Sequence, residues 1–132
     1  MPRMKADLEF WRWPNFRPEE FACQHCGAHG MDEDTLDRLQ QLRLWYQAPI
    51  IINSGYRCAK HPIEAAKPRV GSHALGRAAD IRATVQEQRK LRPLAVKAGF
   101  TGFGSAKSYL HVDDIQPGEH QNIRRPAAWD YA

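Results

Sequence analysis

Cysteines and long apolar runs are both scarce in this chain, which has 132 residues and only three cysteines. Three thiols cannot all pair within one chain, so a disulfide framework is a poor explanation for the fold. No stretch approaches the about 20 apolar residues of a membrane helix, so we expect no membrane insertion. The N-terminal segment lacks the apolar core of a secretory signal, which predicts a cytoplasmic location at synthesis.

Clustered positive charge is also missing. The net charge is +4, yet no run of Lys and Arg is longer than the pair Arg124-Arg125. Proteins that bind nucleic acid more often carry a basic stripe, so we expect no nucleic-acid partner. The mild positive charge leaves two interpretations open: attraction to an anionic polymer such as the cell wall, or no functional meaning.

The size and composition are those of one ordinary globular domain. The sequence is 42% hydrophobic and 26% charged, and its length predicts a single domain over residues 1–132. We expect a monomer in which residues 1–22 form an arm packed on the domain. Four aromatic residues are expected to pack the termini onto the body, with a glycan groove as the alternative: Trp11, Trp13, Trp129 and Tyr131.

Hydrophobic periodicity and capping signals predict an α+β fold. Helical spacing of leucines predicts a helix over 32–46, and a Thr84–Glu87 capping box starts another that runs to about Ala98, with a kink or restart at Pro93. Short helical segments are predicted at 18–21 and 62–66. Strands are predicted at 50–52, 77–83, 101–105 and 109–114, followed by a tail that is irregular from Gln116 until Trp129-Asp130-Tyr131. We therefore expect a small antiparallel sheet with helices packed around it.

Candidate metal ligands lie in two segments. His73 and Asp80 flank Gly76, which allows the chain to turn so that both side chains converge. His111 and Asp113 share one face of a predicted strand. Two histidines and one carboxylate are typical of a catalytic zinc site whose fourth position holds water. Spacing alone does not distinguish such a site from a chance occurrence of these residues.

Four segments together resemble a known family. They follow one another in this order: Ser54-Gly55-Tyr56-Arg57, residues 71–81 (GSHALGRAADI), Gly102-Phe103-Gly104 and Leu110-His111-Val112-Asp113. The pattern resembles the M15 family of zinc peptidases, which includes D-alanyl-D-alanine carboxypeptidases, vancomycin-resistance dipeptidases and phage L-alanyl-D-glutamate endopeptidases. Hedgehog signalling domains share the family fold. The resemblance extends over about residues 16–131, and residues 61–67 resemble small phage and prophage members.

The resemblance implies roles for single residues. Three residues match the zinc ligands of the family: His73, Asp80 and His111. Arg57 matches the arginine that meets the substrate carboxylate or the tetrahedral intermediate, and Ser54 and Tyr56 match the frame around it. A solvated surface arginine is the alternative for Arg57. Tyr109 shares the face of His111 and is a candidate for substrate binding or for packing.

The sequence departs from the family pattern at two places. The serine two residues before the zinc histidine is Gly71 here, which affects only a supporting hydrogen bond. Many members carry Glu or Asp three residues before the late histidine, but Ser108 stands there and cannot be a carboxylate base. Asp113 is therefore our candidate for the general base. Two alternatives remain: Asp113 orients His111 or Arg57, or catalysis is lost.

The function that the resemblance implies is hydrolysis of the peptide stems of peptidoglycan by a zinc-dependent enzyme. The favoured type is an endolysin-like L-Ala-D-Glu endopeptidase that reaches the cell wall when phage lysis releases it. The alternatives are a D-Ala-D-Ala carboxypeptidase or dipeptidase, a non-catalytic hedgehog-like zinc-binding module, and a basic domain without metal.

The cysteines form a second candidate metal site. Cys23 and Cys26 make a C-x-x-C, and Cys58 and His61 make a C-x-x-H, which together have the ligand types of a structural zinc site. In the alternatives, a neighbouring histidine replaces His61, two of the cysteines form a disulfide, or the thiols are free.

Overall fold

The structure is a computed structural model that describes residues 3–131. The helices are α1 (Glu33–Tyr46), α2 (Pro62–Ala65) and α3 (Val85–Ala98), and the strands are β1 (Ile52–Ser54), β2 (Ala78–Arg82), β3 (Gly102–Ser105), β4 (Tyr109–Asp113) and β5 (Ala127–Asp130). Short 3-10 turns cover Leu8–Phe10 and Pro18–Phe21. These elements confirm the predicted α+β class. Within residues 3–131, no helix is both long and apolar enough to cross a membrane.

The strands form one mixed sheet in the order β1-β2-β4-β3-β5. The first four strands pair antiparallel, whereas β5 pairs parallel with β3. The prediction of a purely antiparallel sheet and an irregular tail is therefore wrong at this edge. Gly104 lies opposite Trp129, and a Cβ on Gly104 would come within 2.5 Å of the indole. The pairing of β5 with β3 therefore depends on the absence of a side chain at Gly104, which no local pattern in the tail reveals.

The two long helices begin and end close to the predicted positions. Asp32 is the N-cap of α1, and Thr84 caps α3 by accepting from the Glu87 N–H at 3.1 Å while the Glu87 carboxylate accepts from the Thr84 N–H at 3.0 Å. The helix α3 runs through Pro93 without a restart, so this proline removes one backbone donor but does not end the helix.

The core joins the helices, the sheet and the N-terminal arm. Buried side chains of α1, α3 and the strands form one cluster: Leu36, Leu39, Leu42, Leu91, Ile81, Leu110 and Val112. The arm contributes Trp13, Phe16 and Phe21 to the same cluster. Each fully buried side chain of this size stabilises the fold by about 1.5–3 kcal/mol. The Tyr56 N–H also donates to the Phe21 carbonyl at 2.9 Å, so the arm lies directly against the segment that leads to Arg57.

Candidate metal centre and cleft

The sheet and one loop bring the three predicted metal ligands together. Asp80 on β2 and His111 on β4 are direct partners in an antiparallel pair, so their side chains share one face. His73 arrives from the loop before β2, and the chain returns through Gly76, which has a φ of 73°. All three side chains are buried.

The distances between the three ligand atoms match a single ion. His73 Nε2 lies 3.2 Å from Asp80 Oδ1 and 3.2 Å from His111 Nδ1, and His111 Nδ1 lies 3.0 Å from Asp80 Oδ1. Ligands at 2.0–2.1 Å from a tetrahedral zinc would be separated by about 3.3–3.4 Å. Two imidazole nitrogens and one carboxylate oxygen are also the donor types that zinc accepts, so these residues fit the metal.

Each imidazole is oriented by a contact on its other nitrogen. His73 Nδ1 donates to the Gly55 carbonyl at 2.7 Å, and His111 Nε2 donates to Asp113 Oδ2 at 2.8 Å. Both acceptors lack a proton to give, so in the neutral form of each ring the remaining nitrogen keeps its lone pair. Those two lone pairs are the ones that face Asp80. Outer contacts of this kind fix the tautomer and the ring orientation of metal-binding histidines.

Two of the three ligands, His73 and Asp80, are in the protonation states that a metal requires. Burial lowers the pKa of His73, which favours the neutral imidazole. Burial alone would raise the pKa of Asp80, but hydrogen bonds to His111 and His73 hold it well below its usual range. These two ligands can bind a cation without first releasing a proton. Burial opposes protonation of His111, but the contacts with Asp113 and Asp80 raise its pKa, so a metal must displace a proton from that ring whenever it is protonated.

Asp113 lies behind His111, on the side away from the ligand nitrogen. The carboxylate is fully buried, and it accepts from His111 and from Arg125 Nε and Nη2 at 2.8 and 2.7 Å. Burial opposes ionisation, but the contacts with His111 and Arg125 lower the pKa of Asp113 to about 2. These contacts are those of a group that orients His111, one of the roles that the sequence leaves open. Sequence reasoning missed Arg125, since a partner 12 residues away leaves no local pattern.

Arg57 is held in place rather than solvated, with 12% of its side chain exposed. Its Nη2 donates to Asp80 Oδ2 at 3.1 Å and its Nε to Ser54 Oγ at 3.2 Å, so Ser54 frames the guanidinium as predicted. Tyr56 does not line the cleft. A Cβ on Gly30 would lie 2.7 Å from the Tyr56 ring, which shows how closely that ring packs over Gly30.

The ligands form the floor of a cleft of about 460 Å³ with cationic and aromatic walls. The cations are Arg57, Lys67, Arg124 and Arg125, and the aromatic side chains are Tyr109, Trp129 and Tyr131. The Trp129 and His111 rings are 5.4 Å apart, so β5 completes the site. Trp13 packs the N-terminal arm onto the core, and Trp129 and Tyr131 pack the C-terminal strand against Gly104 while they also line the cleft.

Glu64 is a carboxylate near the site that sequence reasoning missed. Its Oε2 accepts from Lys67 Nζ at 2.8 Å and lies 3.5 Å from Arg57 Nη1, and the residue is 7% exposed. Within residues 3–131, its Oε1 has no hydrogen-bond partner although it is buried. Glu64 lies in the four-residue helix α2, which is too short to show the periodicity that would mark a buried position.

The fold and the site define an α+β protein with a candidate metal centre at the floor of a cationic cleft. A sequence model of the family described as Peptidase M15 matches residues 14–113, and the chain belongs to this family of peptidases. A search of curated proteins found no match.

Proposed function

We propose that the chain is a zinc-dependent peptidase that hydrolyses the peptide stems of peptidoglycan. The observation that carries this proposal is the convergence of three ligand atoms, 3.0–3.2 Å apart, on the floor of an open cleft. Membership of the M15 family supports the peptidase class. When bound, zinc supplies Lewis acidity and a water molecule with a lowered pKa.

The residues of the chain then have distinct tasks. His73, Asp80 and His111 hold the ion, while Asp113 fixes the orientation of His111. Arg57 lies beside Asp80 and presents a planar guanidinium at the cleft, where it can donate to a substrate carboxylate or to the oxyanion that develops during hydrolysis. Its contacts with Ser54 and Asp80 hold the side chain in this position before substrate arrives.

The walls of the cleft support a peptide substrate that carries carboxylates. The cleft is lined by four cations: Arg57, Lys67, Arg124 and Arg125. Among the residues that the structure describes, the acidic side chain that lines the cleft is Asp80. A peptidoglycan stem has free carboxylates along a short, extended chain, which suits this charge. The three aromatic residues of the wall offer apolar faces for the remaining parts of the stem. We propose the L-Ala-D-Glu bond as the bond that is cut.

Metal analysis combined with digestion of purified murein tests this function. We expect wild-type protein to contain zinc and to release stem peptides whose masses identify cleavage between L-Ala and D-Glu. His73→Ala should lose one equivalent of zinc and all turnover. His120→Ala removes a histidine outside the cleft and should retain both, so it is the matched control.

Two results would contradict parts of the proposal. Loss of a single terminal alanine from the stem would replace the endopeptidase with a D-Ala-D-Ala carboxypeptidase. Zinc-loaded wild-type protein without any turnover on murein would overturn the enzyme and favour a hedgehog-like binding module.

A further inference from the structure

Three cysteines from two segments that are distant in sequence meet at one point beside the N-terminal arm. The sulfurs of Cys23, Cys26 and Cys58 all lie within 4.8 Å of one another, and none is bonded to another. Thiolates at about 2.3 Å from a tetrahedral zinc are separated by about 3.8 Å, so the cluster is compact enough for one ion. A disulfide would use two of the sulfurs and would leave the convergence of the third unexplained.

The first pair of cysteines lies in a tight turn that backbone hydrogen bonds close. The Gly27 N–H donates to the Cys23 carbonyl at 2.7 Å, and the Cys23 N–H donates to the Ala28 carbonyl at 2.8 Å. Gly27 has a φ of 77°, a left-handed conformation that glycine adopts without strain. This turn brings Cys23 and Cys26 close together.

The second segment completes the cluster through its own backbone. The Cys58 N–H donates to Cys23 Sγ at 3.3 Å. Such hydrogen bonds favour the thiolate, which is the form that binds metals.

We propose that Cys23, Cys26 and Cys58 bind a second zinc ion with a structural role, distinct from the ion on the cleft floor. Among residues 3–131, the ligand atoms that lie within 4.8 Å of one another here are the three sulfurs, so a neighbouring histidine would have to reorient to fill the fourth position. Three sulfurs that share one point favour zinc among the three states that the sequence leaves open: zinc, a disulfide or free thiols.

At this location, the ion would hold the segment that carries Arg57 in place. Cys58 directly follows Arg57, and the arm residue Phe21 is already bonded to the Tyr56 N–H at 2.9 Å. An ion shared by the arm and by Cys58 would therefore fix both ends of the short segment that carries Arg57. The proposal does not depend on the peptidase function, because a binding module would need the same anchor.

The test counts metal ions in wild-type protein prepared under reducing conditions. We expect two equivalents of zinc, one of which is released when an organomercurial titrates the thiols. Cobalt substitution should produce sulfur-to-cobalt charge-transfer absorption. His73→Ala should keep this absorption and one zinc. Cys26→Ser, at an exposed position, should lose the absorption and keep the other zinc.

Three results would overturn the proposal. The first is a wild-type chain with one zinc that His73→Ala removes. The second is a cobalt-loaded wild type without sulfur-to-cobalt absorption. The third is a native mass lower by two hydrogens, which marks a disulfide. Two of these readings need only wild-type protein, so a variant that fails to fold does not obscure them. Murein turnover is not a readout here, so failure of the peptidase proposal is recognised separately.

Discussion

Asp113 and Asp114 are adjacent carboxylates with opposite surroundings. Asp113 turns toward His111 and Arg125, whereas Asp114 contacts Arg38 Nη1 at 2.6 Å and Arg77 Nε at 2.7 Å on the other side of the chain. The alternation of side chains along a strand explains this division. Asp113 therefore contacts a ligand of the candidate metal centre, whereas Asp114 forms ion pairs in the interior of the fold.

Substitution of Asp113 tests whether it orients His111 or acts as the base. We expect Asp113→Asn to weaken zinc affinity and activity by about 10–100-fold, the usual effect of losing an outer partner of a metal-binding histidine. Calorimetric zinc titration and murein turnover measure the two effects. A loss of about 10²–10⁴ in rate with unchanged zinc affinity would instead assign the base to Asp113.

Substitution of Arg57 by lysine tests whether the planar shape of the guanidinium, rather than its charge, is needed for turnover. Arg57→Lys keeps the positive charge but loses the planar fork that contacts Ser54 and Asp80 at the same time. We expect turnover to fall by about 10²-fold, the order of magnitude for one lost oxyanion donor. The control is Arg82→Lys, an exposed arginine at the end of β2, which should retain wild-type turnover. Equal turnover in both variants would show that hydrolysis does not need the planar fork of Arg57.

At the scale of elements, the turn between His73 and β2 is fixed by contact with another backbone. Gly76 has a φ of 73°, and a Cβ there would lie 1.9 Å from the Gly30 carbonyl oxygen. Gly118 has nearly the same φ, 76°, but a Cβ there meets nothing within 4 Å. The two glycines thus separate conformational cost from steric cost.

This pair of glycines gives a matched test by denaturant unfolding. Gly118→Ala should cost about 1–2 kcal/mol, the penalty for a left-handed alanine. Gly76→Ala should cost about 1–3 kcal/mol more, because the backbone of Gly30 must move. It should also weaken zinc binding, since the turn positions His73 and Asp80. Equal losses in both variants would contradict the steric argument.

The elements differ in how well local sequence predicts them. Leucine spacing and caps predict α1 and α3 within a residue or two, because these signals lie inside the helix that they specify. The strand β5 escapes prediction, since Ala127 and Ala128 carry little strand preference and the pairing depends on the space at Gly104. Glu64 escapes for a related reason, as its burial is decided by residues outside its own helix.

At the scale of the whole molecule, a buried network of charges joins distant parts of the chain. Asp114 is fully buried and lies against three arginines, one each from the arm, α1 and the segment before β2: Arg3, Arg38 and Arg77. Arg77 also binds Glu119 in the C-terminal tail, with Nη2 to Oε1 at 2.8 Å. Arg77 therefore links the buried Asp114 to the C-terminal tail.

This link predicts a stability that depends on pH. The hydrogen bond to Arg77 lowers the pKa of Glu119 from 4.5 to about 2. A carboxylate whose pKa is lowered in the folded state stabilises the fold at pH values above its ordinary pKa. That stability is lost as the pH falls toward the lowered pKa. Wild type should therefore exceed Glu119→Gln in stability at neutral pH, and the difference should shrink between pH 4.5 and about 2.

Urea unfolding at several pH values measures this difference. Glu19→Gln changes an exposed carboxylate outside the network and is the matched control. A difference between wild type and Glu119→Gln that stays constant down to pH 2 would show that the ion pair contributes nothing to folding.

The parallel pairing of β5 also gives the cleft an optical property. The Trp129 indole lies 5.4 Å from His111, close enough for a paramagnetic ion on the three ligands to quench its fluorescence. The other tryptophans do not line the cleft. The difference in fluorescence between wild type and Trp129→Phe therefore measures binding of a paramagnetic ion at the centre without an added dye. A substrate that enters the cleft should shift the wavelength of the Trp129 emission.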